Sequence, residues 1–206
     1  MNDLNTATDQ PATLPALVPV AATIRDQAAC ALVLGVACFA WFGWGQQGPP
    51  DGWPVFLGIG SGLGALVAVA ALLLTLRNKS GGSVMRDPAT AKRYGRTVGI
   101  EFGAILIGAA ALIILNNPSY VAAWVLFVVG VHFVPLARLF RIPSLAVAGV
   151  LVALAGVIAA ILGIANVVLP SAVAGGGGGL LMLAFGAVTL YRAWRQHSES
   201  HASATL

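Results

Sequence analysis

The sequence predicts an all-α, polytopic membrane protein whose six transmembrane helices pack as three antiparallel hairpins. Three observations predict it. Of 206 residues, 58% are hydrophobic and 9% charged, whereas soluble domains are roughly 25% charged. Six apolar stretches are each long enough to cross the hydrocarbon core as a helix, which takes about 20 residues. All eleven Lys and Arg residues fall at one end of those stretches. The mean hydropathy of +0.88 excludes a water-soluble globular domain, and so high an apolar content excludes a disordered chain.

The elements follow in order. Residues 1–24 are polar and Pro-containing, and read as a disordered cytoplasmic segment. Asp3 and Asp9 come before any basic residue, the reverse of a signal peptide, so the first span is expected to be retained. The spans are 27–45, 54–76, 97–115, 119–136, 143–169 and 172–191, within a transmembrane domain of residues 25–192. The fifth is the longest and is expected to tilt. The sixth takes in the run Gly175 to Gly179, without which it is too short to cross. Residues 193–206 read as a disordered cytoplasmic tail.

Charge sets the orientation. Arg25 precedes the first span; Arg77, Lys79, Arg86, Lys92, Arg93 and Arg96 fill the loop after the second. Arg138 and Arg141 follow the fourth span, and Arg192 and Arg195 follow the sixth. The positive-inside rule then places both termini in the cytoplasm. Two Lys against nine Arg, with abundant Ala, Gly and Val, point to a bacterial inner (cytoplasmic) membrane. The net charge of +4 is thus a record of topology. No aromatic interleaving or motif points to nucleic acid. Besides the bilayer itself, anionic lipid headgroups are the partner this chemistry suits, at Arg77–Arg96.

Two patterns concern packing. Gly149, Ala153, Gly156, Ala160 and Gly163 form one small-residue seam along the fifth span. Such seams let helices approach closely in lipid, either within the chain or in a homo-oligomer. Trp41, Trp44, Trp53, Tyr120 and Trp124 cluster at the ends remote from the basic residues and read as an outer aromatic belt.

Glu101 and His132 carry the chemistry. They are the two acid–base side chains inside the spans, about 7–8 Å and about 9 Å from the basic ends of adjacent antiparallel helices. An intramembrane charge costs at least a few kcal/mol unless it is paired, so equal depth suggests a pair. Glu101 shares a helix face with Thr97, Ala104, Gly108 and Ala111. Pro135, three residues after His132, has no N–H for the Val131 carbonyl and predicts a kink beside the pair. Two readings stand open: a proton-responsive pair coupled to a solute path, and a structural staple between helices.

Other candidates are weaker. Cys30 and Cys38 lie about 12 Å apart along one helix, too far for a disulfide. His197 and His201 have i, i+4 spacing without a third ligand, so neither a metal nor another cofactor is expected. H-E-x-x-H, G-x-S-x-G and the P-loop are absent from the sequence. The expected function is a non-enzymatic membrane component acting by helix packing or partner binding. The alternative is a small proton-coupled permease or exporter using Glu101 and His132.

The run Gly130-Val131-His132-Phe133-Val134-Pro135-Leu136-Ala137-Arg138-Leu139-Phe140, preceded by Gly99-Ile100-Glu101-Phe102-Gly103, resembles a group of uncharacterised bacterial multi-span integral membrane proteins. In that group a G-[VL]-H-F-x-P-L-A-x-L-F stretch follows a Glu-bearing helix. The resemblance covers Arg96 to Arg141 and implies no activity, only that Glu101 and His132 belong to one motif.

Overall fold

Six helices alternate in direction through the chain: α1 (Ile24–Gly45), α2 (Trp53–Arg77), α3 (Pro88–Ile114), α4 (Val121–Phe140), α5 (Pro143–Ile164) and α6 (Pro170–Ala204). The computed structural model describes residues 23–79 and 82–204, and among them there is no strand. Each helix is long and apolar enough to cross a membrane. The expected disorder of residues 1–24 falls outside the described residues, except at Thr23 and Ile24.

The helix ends differ from the sequence expectation, for local reasons. The third helix starts at Pro88 rather than residue 97, so much of the basic loop is helical. Asp87 caps it, accepting from the Ala89 and Thr90 N–H groups at 3.4 and 2.9 Å. Pro88 then supplies a first-turn residue that needs no hydrogen bond. The Thr90 side chain and N–H, followed by the Ala89 N–H and the Arg93 charge, hold the Asp87 carboxyl below its usual range. That cap is in place above the ordinary carboxylate pKa and is lost as pH falls through the lowered value.

Helices α3, α4 and α5 end alike, on Asn116, Arg141 and Asn166, each at a φ near +55° (56°, 55° and 54°). In each, the next residue's N–H reaches back five positions: Asn117 to Leu112 at 2.8 Å, Ile142 to Ala137 at 3.0 Å, Val167 to Leu162 at 3.1 Å. This is the Schellman closure. It ends the fifth helix at Ile164, so the expected excess length over 143–169 is not there.

The sixth helix corrects the expected disordered tail, continuing through residue 204. Arg195 and Glu199 pair at i, i+4 and 2.9 Å, and Ala193 is buried against Ala28 and Leu74. His197 Nδ1 lies 3.3 Å from Asn78 Oδ1. A polar sequence is held helical here by docking on the ends of α1 and α2. The side chain of His201 lies outside the described residues.

All three sequential hairpins pack, but the most extensive contacts are α1 on α6, α1 on α2, and α4 on α5. Helix α6 joins α1 and α2 to α4 and α5, while α3 lies at the edge against α4. The core is built from Phe42, Leu57, Leu126, Val152 and Met182.

The glycine run is inside α6 and explains its central position. A Cβ at Gly175 would collide with the Gly45 backbone, and one at Gly179 would lie 2.7 Å from the Phe42 ring. The seam on α5 is filled from within the chain. Gly149 faces the Gly130 carbonyl, Gly156 faces Ala123 and Phe127, and Gly163 faces Pro170 and Tyr120. Ala153 presses its backbone on Gly130, and Ala160 packs against the core.

The five aromatic residues also take part in packing. All five residues lie toward the non-basic end, but Trp41 is 6% exposed and stacks on Trp44 at 5.3 Å. Trp53 packs beside Gly176, and Tyr120 beside Gly163. Trp124 lies on Gly108, and Trp44, Trp53, Tyr120 and Trp124 each remain partly exposed.

Candidate functional site: an intramembrane Glu–His pair

Helix α3 meets the bundle through one face. It has no fully buried residue, and its neighbour is α4. Because the connection from Leu115 to Tyr120 is short, the two helices run antiparallel in fixed register. Glu101 then lies opposite His132: Oε2 is 3.3 Å from Nε2, with side chains 13% and 7% exposed.

The rest of the interface supports that register. The Trp124 indole N–H donates to the Ala104 carbonyl at 3.1 Å, and the ring lies directly on Gly108. At the basic end, Tyr94 meets Phe140 edge-on at 5.9 Å. The Thr97 backbone lies beside the His132 ring. Four of the five residues expected on one face therefore point to α4, whereas Ala111 is exposed. Helix α4 runs unbroken through Pro135, whose exposed ring lies at the basic end below the pair.

Chemically the pair can share one proton. As carboxylate and imidazolium it is an ion pair; as carboxylic acid and imidazole it is a neutral hydrogen bond. A second proton leaves a neutral acid beside an imidazolium and removes the attraction. Among the described residues no group of three or more His, Cys, Asp or Glu could hold a metal ion.

Two cavities lie toward the basic ends of the helices, and neither is lined by Glu101 or His132. One, of about 330 Å³, is lined by Arg93, Arg96, Thr97, Pro135, Arg138 and Leu139. It stops at Thr97, one helical turn short of Glu101. The other, of about 350 Å³, lies between α1 and α4, with Arg25, Asp26 and Tyr94 at its polar side and Cys30, Leu34 and Phe133 along its apolar wall. Cys38 is buried, with Sγ 3.7 Å from the Gly60 carbonyl. Both cysteines are free.

Asp26 is the residue that the sequence reading missed. It is 8% exposed and gathers the loop before α3. The Ser83 hydroxyl donates to Oδ1 at 2.6 Å, and the Val84 N–H to Oδ2 at 3.1 Å. The Thr23 hydroxyl lies 2.9 Å from Oδ2 and 2.8 Å from the Gly82 carbonyl, and accepts from the Asp26 N–H. The available signal was Thr23-x-x-Asp26 before an apolar run, a helix-start pattern.

Hydrogen bonds to a charged acceptor contribute about 1.5–3 kcal/mol each. Asp26→Ala is therefore expected to release the loop while leaving the six helices in place. Trypsin cleavage after Arg86 should quicken on the order of tenfold, measured on protein in detergent. An unchanged rate would mean that the loop is held elsewhere.

No protein-family model matches this chain, and no curated protein or solved structure matches it either.

Proposed function

We propose that this multi-pass membrane protein is a non-enzymatic, proton-responsive component in which Glu101 and His132 clasp α3 to the bundle. The observation that carries this is the 3.3 Å contact on a helix whose packing is chiefly against one other helix, α4. Few apolar contacts oppose the departure of α3, so a polar clasp has unusual leverage over its position. The one-proton pair is neutral overall, whereas a second proton adds a positive charge near those of Arg93 and Arg96 on α3 and Arg138 on α4. Acidification is therefore the direction that frees α3.

The test is a distance measurement between spin labels at Lys92→Cys and Arg141→Cys, with Cys30 and Cys38 replaced by Ala. A narrow distribution at neutral pH should broaden in acid, and in His132→Ala it should be broad at every pH. The same narrow distribution in both proteins at every pH would remove the clasp.

The cavity between α1 and α4 favours a second reading, a proton-coupled permease. Its lining runs from Arg25 and Asp26 at the basic end of α1 to Val33 and Leu34 two turns further along that helix. Proteoliposomes would show proton flux in wild type that Glu101→Gln loses; equal flux across a broad solute panel removes this reading. The one-sided basic residues support placement in a bacterial cytoplasmic membrane with both termini inside.

A further inference from the structure

We propose that the cleft between the basic ends of α3 and α4 is a binding site for a phosphate-type oxyanion, carried either by an anionic lipid or by a free anion. Three exposed arginines from two helices line one cavity of about 330 Å³: Arg93 and Arg96 from α3, and Arg138 from α4. Charges that served topology alone would gain nothing by converging, and like charges brought together repel. Arg77, Lys79, Arg86 and Lys92 do not line this cavity.

Among the described residues none of the three arginines is in an ion pair, and the carboxylate whose charge Arg93 feels, Asp87, lies outside the cavity lining. The ion pairs among the described residues are Glu101 with His132 and Arg195 with Glu199, and none of the three arginines is in a hydrogen bond through its side chain. The larger basic cavity, about 740 Å³ between the ends of α5 and α6, differs here. Its Arg141, Arg192 and Arg195 share the space with Glu199, which already bonds Arg195.

Position and chemistry agree on the ligand. Guanidinium is a planar fork that binds phosphate oxygens in pairs, and it keeps its charge at any physiological pH. The cavity lies at the membrane-surface end of two spans, at the level of lipid headgroups, with Pro135 and Leu139 giving it an apolar side. An oxyanion held there would bridge α3 to α4 about one helical turn from Glu101. The site does not require Glu101 or His132, so it can fail or stand independently of the clasp.

The test uses delipidated full-length protein in detergent, with bound lipid counted by native mass spectrometry. Phosphatidylglycerol should be retained over phosphatidylcholine, and the preference should fall about tenfold in Arg93→Gln/Arg96→Gln/Arg138→Gln. Arg141→Gln/Arg192→Gln, in the other basic cavity, should keep it. Retention in millimolar inorganic phosphate assigns the lipid headgroup; displacement by phosphate assigns a free anion, and both support the site. If the triple variant does not accumulate, Arg138→Gln alone should lose about threefold. An unchanged preference in the Arg93, Arg96 and Arg138 variants, or an equal loss in the Arg141 and Arg192 control, overturns the proposal.

Discussion

Gly175→Ala is expected to destabilise the bundle by about 3 kcal/mol or more, the upper end of what overpacking a tight interface costs. The added methyl group would enter the backbone of Gly45, with the Trp41 carbonyl of the same helix 2.7 Å away. Backbone cannot rotate aside as a side chain can, so α1 and α6 must separate. That separation loosens the packing of Phe42 and Met182, both fully buried. Gly177→Ala, two residues on, is the control. Its nearest neighbour would be Ala155 Cβ at 3.9 Å, ordinary contact, and replacing helical Gly by Ala gains up to about 1 kcal/mol. Denaturant titration in detergent micelles should move the two midpoints in opposite directions. Equal midpoints would mean that the α1–α6 crossing is looser than the structure has it.

The second large effect belongs to the pair. His132→Ala leaves a mostly buried carboxyl group without its partner and should cost about 3 kcal/mol, the low end for breaking a buried pair. Interhelical hydrogen bonds in membranes average only about 0.6 kcal/mol, and Glu101→Gln should fall near that smaller figure, because the amide can still bond the imidazole. Glu101→Leu/His132→Leu removes both polar groups and should recover to within about 1 kcal/mol of wild type. A double-mutant cycle reads the difference directly. Additive effects would show that the two side chains are neighbours without coupling.

Why the pair was legible in sequence is a matter of fixed geometry. A helix rises about 1.5 Å per residue, and Glu101 and His132 lie five and six residues from the nearest arginine. A short connection joins their helices, so counting alone placed them at one level. The helix ends were less legible. Positive φ at Arg141 is uncommon for a long side chain, and no propensity rule stops α4 there. The polar run 193–204 resembled a tail because its helicity depends on Ala193 docking against Ala28 and Leu74, which are distant in sequence. The packing of the aromatic residues was illegible for a related cause: a Trp at a membrane boundary and a Trp filling a glycine groove have the same sequence.

By itself the sequence determined six helices long and apolar enough to cross a membrane, their alternation, and the common level of Glu101 and His132 along two of them. Hydrophobic length and helical rise are local quantities, and no neighbour changes them. Only the tertiary structure decided that α6 bridges the bundle, that the small-residue seam is closed mainly by α4 and at Gly163 by Pro170 and Tyr120, that Asp26 holds the loop before α3, and that three arginines line one cavity. Each depends on which helix faces which. Among apolar helices that choice comes from close packing of small residues against large ones, a property of pairs of surfaces that no single stretch of sequence contains.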